Sequence, residues 1–498
     1  MSKFRAAAVH KVGLHRGACR IWLQGKKPAA GGFLPQVRFN PIKDEAKRKL
    51  ILKVDAHGSR MVSRKATTKE DVFIPVIDLN QADILEMFEG LEHVRVIYRD
   101  GEITIQALES EMRARERMER LRDKVATGSP ITIGSLCHGG GVLTKAIHDG
   151  LAQGGIVSTL SFVNEIRDEL LEHSANVNPV WNENTVALSM PLQELAFDKE
   201  AMDLLASCEL LEAGLPCEMA SVAGRSKNKT VCAEEHPHVG HLVASFIAII
   251  AKVNPSVILL ENVPGYKNVA SMHILRNQLR DFGYEVHETI VNSTEWGNIE
   301  SRRRFAMVAV TVGMEFNISD LIPPHAGAPM LSDILDDVPL DSPSWKTMDY
   351  LVEKAARDKA AGKGFGLNVV TEDATKVGTL GKGYSKARQS EAKLLHPENP
   401  ALMRLFTPGE HSRIKGIDPQ LISGLSNTVA HELLGQSVTP VPFQAIGKLV
   451  AASIHKVIQA GNKVFKLVKQ VEASVKLTNQ FVDEAKRFTL HQAQASLF

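Results

Sequence analysis

Ile131-Thr-Ile-Gly-Ser-Leu-Cys137-His138-Gly139-Gly140-Gly141-Val-Leu-Thr-Lys-Ala-Ile147 is the stretch whose reading decides the fold. It opens as an apolar run of strand length, passes through a glycine-rich turn and ends with the spacing of a helix. Glycines in such a turn let the backbone approach a ligand closely and enter the helix tightly. The next apolar run, residues 157–163, ends at Asn164-Glu165. An acid there, about 25 residues beyond the glycines, is placed to hydrogen-bond ribose hydroxyls. Further runs follow at 208–213, at 257–260 leading into Glu261-Asn262-Val263, and at 305–312 after Glu300-Ser-Arg302-Arg303-Arg304. Parallel strands buried on both faces read as continuous apolar runs, and polar residues at their carboxyl ends line the ligand crevice. The expected fold class is α/β: a doubly wound Rossmann-like domain with Gly139, Glu165, Cys217 and Glu261 along one rim.

Cys217 stands in Gly214-Leu215-Pro216-Cys217-Glu218. Proline fixes its own φ and pushes Leu215 towards extended geometry, so the thiol is held on a stiff, reproducibly aimed loop. Taken singly, Cys217 also suits a small buried apolar residue, Glu261 a capping acid, and the three arginines a solvated basic face. Their joint order is what points to chemistry. The 498 residues include 44% hydrophobic and 23% charged, ordinary values for a soluble protein. Neither an apolar membrane-length run nor a signal-peptide core occurs, so a cytoplasmic, nucleoid-associated protein without a membrane partner is expected. Five scattered cysteines, an odd number, argue for free thiols. The net charge of +2 conceals an asymmetry, since residues 1–69 hold 17 Lys/Arg against 3 Asp/Glu. Such an excess suits phosphate-rich partners.

Before residue 107 the pattern is mostly β. Strands are expected at 20–25, 36–40 and 50–54, then at 72–79. A short helix at 82–89 and a hairpin of 94–98 with 102–105 around Asp100-Gly101 complete it. This order resembles AbrB/SpoVT-type swapped-hairpin modules, small basic barrels that bind DNA or pair subunits, which implies a possible homodimer. A strongly charged helix over 107–125 follows.

The catalytic half, residues 131–456, closely resembles the DNA (cytosine-5)-methyltransferase family. The resemblance rests on Cys137-His-Gly139-Gly-Gly141, Glu165, Pro216-Cys217, Glu261-Asn262-Val263, Arg302-Arg303-Arg304 and Gly435-Gln436-Ser437-Val438, with Arg404-Leu-Phe-Thr-Pro-Gly-Glu410 ahead of the last motif. It implies S-adenosylmethionine as methyl donor and double-stranded DNA as partner, in a bacterial or phage protein of the restriction-modification type. Cys217 would attack carbon 6 of a flipped cytosine, Glu261 would engage ring nitrogen 3, and Arg304, supported by Arg302, would hold the exocyclic oxygen. Cys137, Gly139, Gly141, Glu165, Ser189, Met190, Pro216, Gln436, Ser437 and Val438 would form the donor site. Arg225, Lys227 and Lys229 in the loop after Cys217, and Thr379-Leu380, would contact DNA. Several positions depart from the family: Cys137 replaces Phe, Leu188-Ser189-Met190 lacks an Asp, Glu218 and Glu300 replace Gln, and Gln436 replaces Asn.

The expected organisation is an N-terminal domain at 1–106, a helical linker at 107–130 and a catalytic domain at 131–311. A target recognition domain at 312–403, a return to the catalytic domain at 404–460 and a helical tail at 461–498 complete it. The final Gln494-Ala-Ser-Leu497-Phe498 resembles the pentapeptide that binds the bacterial sliding clamp. Cys232, His236, His238 and His241 match no common zinc spacing, and no metal is expected. Two other readings are transfer to RNA cytosine, whose enzymes usually carry Cys-Phe-Thr where this chain has Cys217-Glu-Met, and a DNA-binding regulator without turnover. Binding alone needs none of Cys217, Glu261 and Arg304.

Overall fold

The computed structural model describes residues 5–15, 18–45, 47–67, 73–81, 85–88, 91–216, 233–236, 240–324, 327–362 and 366–457. Two compact units divide the chain, Met1–Arg115 and Glu116–Phe498.

The second unit is built on a seven-stranded sheet. Its strands are β1 (Ile131–Leu136), β2 (Ser158–Asn164), β3 (Val186–Leu188), β4 (Leu210–Gly214), β5 (Val257–Asn262), β6 (Tyr284–Asn292) and β7 (Arg303–Thr311), in the spatial order β3-β2-β1-β4-β5-β7-β6. The first five run parallel, and β7 lies antiparallel to both β5 and β6. The chain winds outward from β1 to β3 and then returns to β4 on the other side of β1. In doubly wound sheets the ligand crevice lies beyond the carboxyl ends of the strands at such a reversal. The apolar runs are continuous because both faces are covered. Along β7, Ala306, Val308 and Val310 enter one core while Phe305, Met307 and Ala309 enter the other. Ile147 and Leu151 of the helix Val142–Gln153, with Phe443, Ile446 and Ile454 from residues 440–457, close the first. Phe246, Ile249, Met272 and Leu275 close the second. This is the doubly wound α/β fold expected.

The charged helix runs Glu109–Ala126. Its second half belongs to the second unit and is fastened to the sheet. Arg117, 1% exposed, donates to Thr311 Oγ1 and to the carbonyls of Phe282 and Gly283, and lies over the Tyr284 ring. Arg120 and Lys124 both pair with buried Glu209, at 2.8 and 2.7 Å. A buried guanidinium persists only when satisfied in this way.

Between β7 and Arg404 the alternation of strand and helix lapses, as expected. A helix Asp349–Ala360 and a small sheet of Val369–Val370, Lys393–Leu395 and Met403–Arg404 surround a separate core of Leu331, Trp345, Val377, Leu380, Tyr384 and Leu394. Ile299, Phe406 and Ile414 enter the same core.

The first unit is mostly β, as expected. A six-stranded antiparallel sheet contains the hairpin His93–Arg99 with Glu102–Ala107, whose register closes Arg99 against Glu102 around Asp100-Gly101. A four-stranded sheet orders Gly13–His15, Ala18–Gln24, Phe73–Leu79 and Ser63–Ala66. Of the helix expected at 82–89, Leu85 is helical and Glu86–Phe88 forms a 3-10 turn, and the remaining positions lie outside the described residues. No described helix is long and apolar enough to cross a membrane.

Candidate active site

The side of the site beyond β1 and β2 is organised by backbone and by neutral polar groups. After β1, Cys137 and Gly139 take left-handed φ values of 55° and 56°, and Gly141, at 74°, caps the following helix. A Cβ at Gly139 would stand in open space, whereas one at Gly141 would strike Asn178 and His138. Gly141 is therefore required by packing and conformation together. Glu165, at the end of β2, accepts from the Gly139 N–H at 2.7 Å and the Arg167 N–H at 3.1 Å. Asn164 beside it donates to the carbonyls of Leu188 and Met190, fixing the end of β3. Ser189 is exposed there and Met190 half-buried.

Beneath the turn lies a buried network that the sequence reading did not find. His138 Nδ1 meets Ser135 Oγ and Thr144 Oγ1 at 2.8 and 3.0 Å, and its Nε2 meets Ser174 Oγ at 2.8 Å. The Trp181 indole donates to the same Ser174 hydroxyl. Burial, with a smaller contribution from His148, pushes His138 down to about 3, so the ring is neutral. Thr144 donates at 2.6 Å to Glu212, which is 2% exposed on β4. Burial pushes the Glu212 carboxyl up to about 7, although the Ser135 and Thr144 hydroxyls oppose the rise. The available signal was a lone acid inside an apolar strand, Leu210-Leu211-Glu212-Ala213. Cys137 is a free thiol, pushed up by burial and by Glu165 and Glu212.

Charge organises the other side. Glu261 lies at the end of β5, and its Oε1 is 2.9 Å from Arg304 Nε on β7, both side chains being 13% exposed. The register sets Glu261 opposite Ala306, one pleat from Arg304. Burial pushes the Glu261 carboxyl up, against the pull of Arg304, Arg302 and Lys415. Arg304 also donates to the Arg303 carbonyl. On the other flank, Gly214 of β4 pairs in register with Glu261, and Asn262 Nδ2 donates to the Leu215 carbonyl at 3.0 Å. Leu215, immediately before Pro216, is thus fastened beside the Glu261–Arg304 pair. Pro216 is exposed. Cys217, Arg225, Lys227, Lys229 and Cys232 lie outside the described residues, as do Gln494, Leu497 and Phe498 of the tail.

Arg302 is placed differently from Arg304. It is 2% exposed, and its guanidinium donates to the Gly435 carbonyl at 2.9 Å and faces Glu300 and the Leu380 carbonyl at 3.4 and 3.5 Å. Glu300 Oε2 meets Lys415 Nζ at 2.6 Å, and both side chains are fully buried. Leu380 is likewise fully buried, while Thr379 is exposed and donates to the Ser301 carbonyl. At the last motif Gln436 is exposed, Ser437 donates back to the Leu433 carbonyl, and Val438 is buried. Arg404 binds Glu410 through two bonds of 2.6 and 2.7 Å, and Glu410 closes a capping box with Thr407. No cluster of potential metal ligands occurs among the described residues.

A family model described as C-5 cytosine-specific DNA methylase matches residues 172–451. Type II methyltransferase M.MspI of Moraxella sp is 27% identical over 257 residues, which are 50% of this chain and 58% of that protein. M1.ScrFI of Lactococcus lactis subsp. cremoris is 26% identical over 50% of this chain and 63% of its own length. For M.NlaX of Neisseria lactamica the identity is 27%, over 50% of this chain and 78% of that protein. The match therefore spans about three-fifths of the first two relatives. Among solved structures, the S. pombe Dnmt2 methyltransferase aligns with a TM-score of 0.51 and 19% identity, over 66% of this chain and 99% of that one, a likeness of fold. The family match, over more than half of the sequence, agrees with the sheet order and with the convergence of Glu261 and Arg304 beside Leu215: this chain belongs to the C-5 cytosine-specific DNA methylase family.

Proposed function

We propose that the protein transfers a methyl group from S-adenosylmethionine to carbon 5 of cytosine in double-stranded DNA. The observation that supports this most is the Glu261–Arg304 pair at the root of the Pro216-Cys217 loop. The donor side suits such a cofactor. The open ground over Gly139, the Glu165 carboxylate and the exposed Ser189 leave room and hydrogen-bonding partners for a nucleoside. Gly139, Gly141, Glu165, Ser189, Met190, Pro216 and the Gln436–Val438 segment would hold it. When bound, S-adenosylmethionine supplies the electrophilic methyl group for carbon 5.

The chain's own residues make carbon 5 nucleophilic. The Cys217 thiolate adds to carbon 6, forming a carbon–sulfur bond while the 5,6 double-bond electrons shift into the 4,5 bond and the 3,4 electrons move onto nitrogen 3. Glu261, whose carboxyl burial biases towards the protonated form, gives its proton to nitrogen 3 as negative charge develops there. Arg304 holds the exocyclic oxygen and keeps Glu261 aimed. Once carbon 5 is substituted, its proton leaves to water or hydroxide, the carbon–sulfur bond breaks to restore the thiolate, and nitrogen 3 returns its proton to Glu261. None of these groups reaches a stacked base, so the cytosine is turned out of the duplex. Arg302 acts as a buried brace. In the Thr379-Leu380 pair, DNA contact falls to Thr379, since Leu380 fills the small core.

In this reading residues 312–403 are the target recognition domain, and Arg225, Lys227 and Lys229 close over the DNA backbone. The basic N-terminal unit is an AbrB/SpoVT-like module that binds DNA or pairs subunits, and the final pentapeptide engages the sliding clamp. The reaction is tested with methyl-labelled S-adenosylmethionine and duplex DNA of mixed sequence. Label should enter DNA, bisulfite sequencing should locate it on cytosine, and Cys217→Ser should abolish it. Undiminished transfer by that variant would refute the mechanism.

A further inference from the structure

The run leading to Arg304 is zipped to the segment carrying Thr379. Val377 N–H donates to the Ile299 carbonyl at 2.8 Å, and Ser301 N–H returns to the Val377 carbonyl at 2.7 Å. Thr379 Oγ1 donates to the Ser301 carbonyl at 2.7 Å, and Leu380 N–H donates to Glu300 Oε1 at 2.9 Å. Glu300 is the centre of this seam. One carboxylate oxygen takes the Leu380 amide and faces Arg302, and the other takes the Lys415 ammonium, which arrives from the end of the helix Pro408–Lys415. Arg302 in turn reaches the Gly435 carbonyl. Gly435 abuts Gly381 so closely that a Cβ there would overlap the Gly381 backbone. Three separate segments, 299–304, 377–381 and 408–436, thus meet on a group of buried charges.

Burial and the nearby Arg302 push Lys415 down to about 7, whereas Lys415 and Arg302 hold Glu300 below the usual carboxylate range despite its burial. At 2.6 Å the ionised Glu300 and the protonated Lys415 sustain each other. A fully buried ion pair is weak evidence for stability, because hydrophobic residues of similar volume often serve as well, and its attested use is to fix register. Here the register concerns Thr379 relative to Arg304.

We propose that Glu300 and Lys415 are positioning residues that set where the DNA-contacting segment at Thr379 stands relative to the cytosine-holding Arg304. The inference rests on the methyltransferase reading above. It predicts that loosening the Leu380–Glu300 bond harms DNA engagement far more than donor binding, since the Gly139–Gly141 turn and Glu165 share none of these bonds.

The test compares Glu300→Gln/Lys415→Met with Glu300→Ala/Lys415→Met. Both remove the Glu300 and Lys415 charges together and leave Arg302 equally without the Glu300 carboxylate, so they differ only in whether an acceptor remains for the Leu380 amide. Dissociation constants are measured for a duplex oligonucleotide of mixed sequence and for S-adenosylmethionine, neither of which requires turnover. The Gln variant should bind both within about threefold of the wild type, and the Ala variant should lose about tenfold or more for DNA alone. Equal DNA binding by the two variants, or parallel losses for DNA and S-adenosylmethionine, would overturn the proposal. Should the Ala variant fail to fold, Leu380→Pro, which removes the same N–H, takes its place under the same criteria, and should the Gln variant fail, the wild type serves as the reference. Failure of the wild type to label DNA would instead strike the methyltransferase reading, leaving the binding comparison to decide the seam.

Discussion

The two banks of the crevice are built from different materials. On the donor bank, position is set by left-handed backbone at Cys137, Gly139 and Gly141 and by a neutral chain of hydroxyls, imidazole and indole through Ser135, Thr144, His138, Ser174 and Trp181. On the base bank, position is set by ion pairs: Glu261 with Arg304 at the rim, Glu300 with Lys415 and Arg302 in the interior behind it, and Arg404 with Glu410 beside the small core. A cationic sulfonium donor needs shape and nearby acceptors more than it needs further positive charge. A pyrimidine that gains negative charge during attack, carried on a polyanion, needs cations held at fixed points. The contrast teaches that mutation should affect the banks through different physics.

Neutralising the base bank should have the largest consequence. Glu261→Gln removes the proton donor while keeping size, and methyl transfer should fall by about 10²–10⁴-fold with S-adenosylmethionine affinity little changed. Steady-state kinetics checks this, and a loss confined to donor binding would erase the contrast. Arg404→Ala leaves Glu410 buried without its bidentate partner, which should cost about 3–5 kcal/mol in denaturant unfolding. Gly141→Ala acts on the donor bank through strain and overlap with His138 and Asn178. It should cost about 1–3 kcal/mol, read as weaker S-adenosylmethionine binding by calorimetry, with DNA affinity unchanged. The smallest effect concerns pH. His138 sits near 3 when folded against an ordinary 6.5, so the unfolded chain binds the extra proton between those values. Its contribution to stability is therefore lost as pH falls from about 6.5 towards about 3. Thermal melting followed across that range should decline less steeply in His138→Asn, and an unaltered slope would remove His138 from the account.

Much of the donor bank was legible because its determinants are local. A glycine turn between an apolar run and a helix, with an acid after the next run, fixes geometry through nearby residues, and Gly139 and Glu165 duly share a hydrogen bond. Glu261 and Arg304 were legible through motif order, since each occupies an end of a strand whose apolar character is plain. What stayed hidden depends on distant parts of the chain. Glu212 reads as an interruption in an apolar strand, and its partner Thr144 lies on another element 68 positions away. Lys415 before Gly416 reads as an ordinary helix C-terminus with a basic residue in the last turn, yet it is fully buried against Glu300, 115 positions earlier. The departure from Gln at Glu300 was visible in sequence, whereas the ammonium that accepts the change was not. Arg302 and Arg304 look equivalent as neighbours in one basic run. The pleat of the strand and the edge of the small core give one to the crevice and the other to the interior.

The most direct test of the central claim uses a duplex in which cytosine carries fluorine at carbon 5. Fluorine cannot leave as a proton, so a thiolate that has added to carbon 6 stays attached after methyl transfer. Incubation with this duplex and S-adenosylmethionine, followed by proteolysis and mass spectrometry, should yield a DNA adduct on the peptide containing Cys217, absent in Cys217→Ser and strongly reduced in Glu261→Gln. An adduct on another residue, or methylation of ordinary duplex by Cys217→Ser at the wild-type rate, would contradict the account.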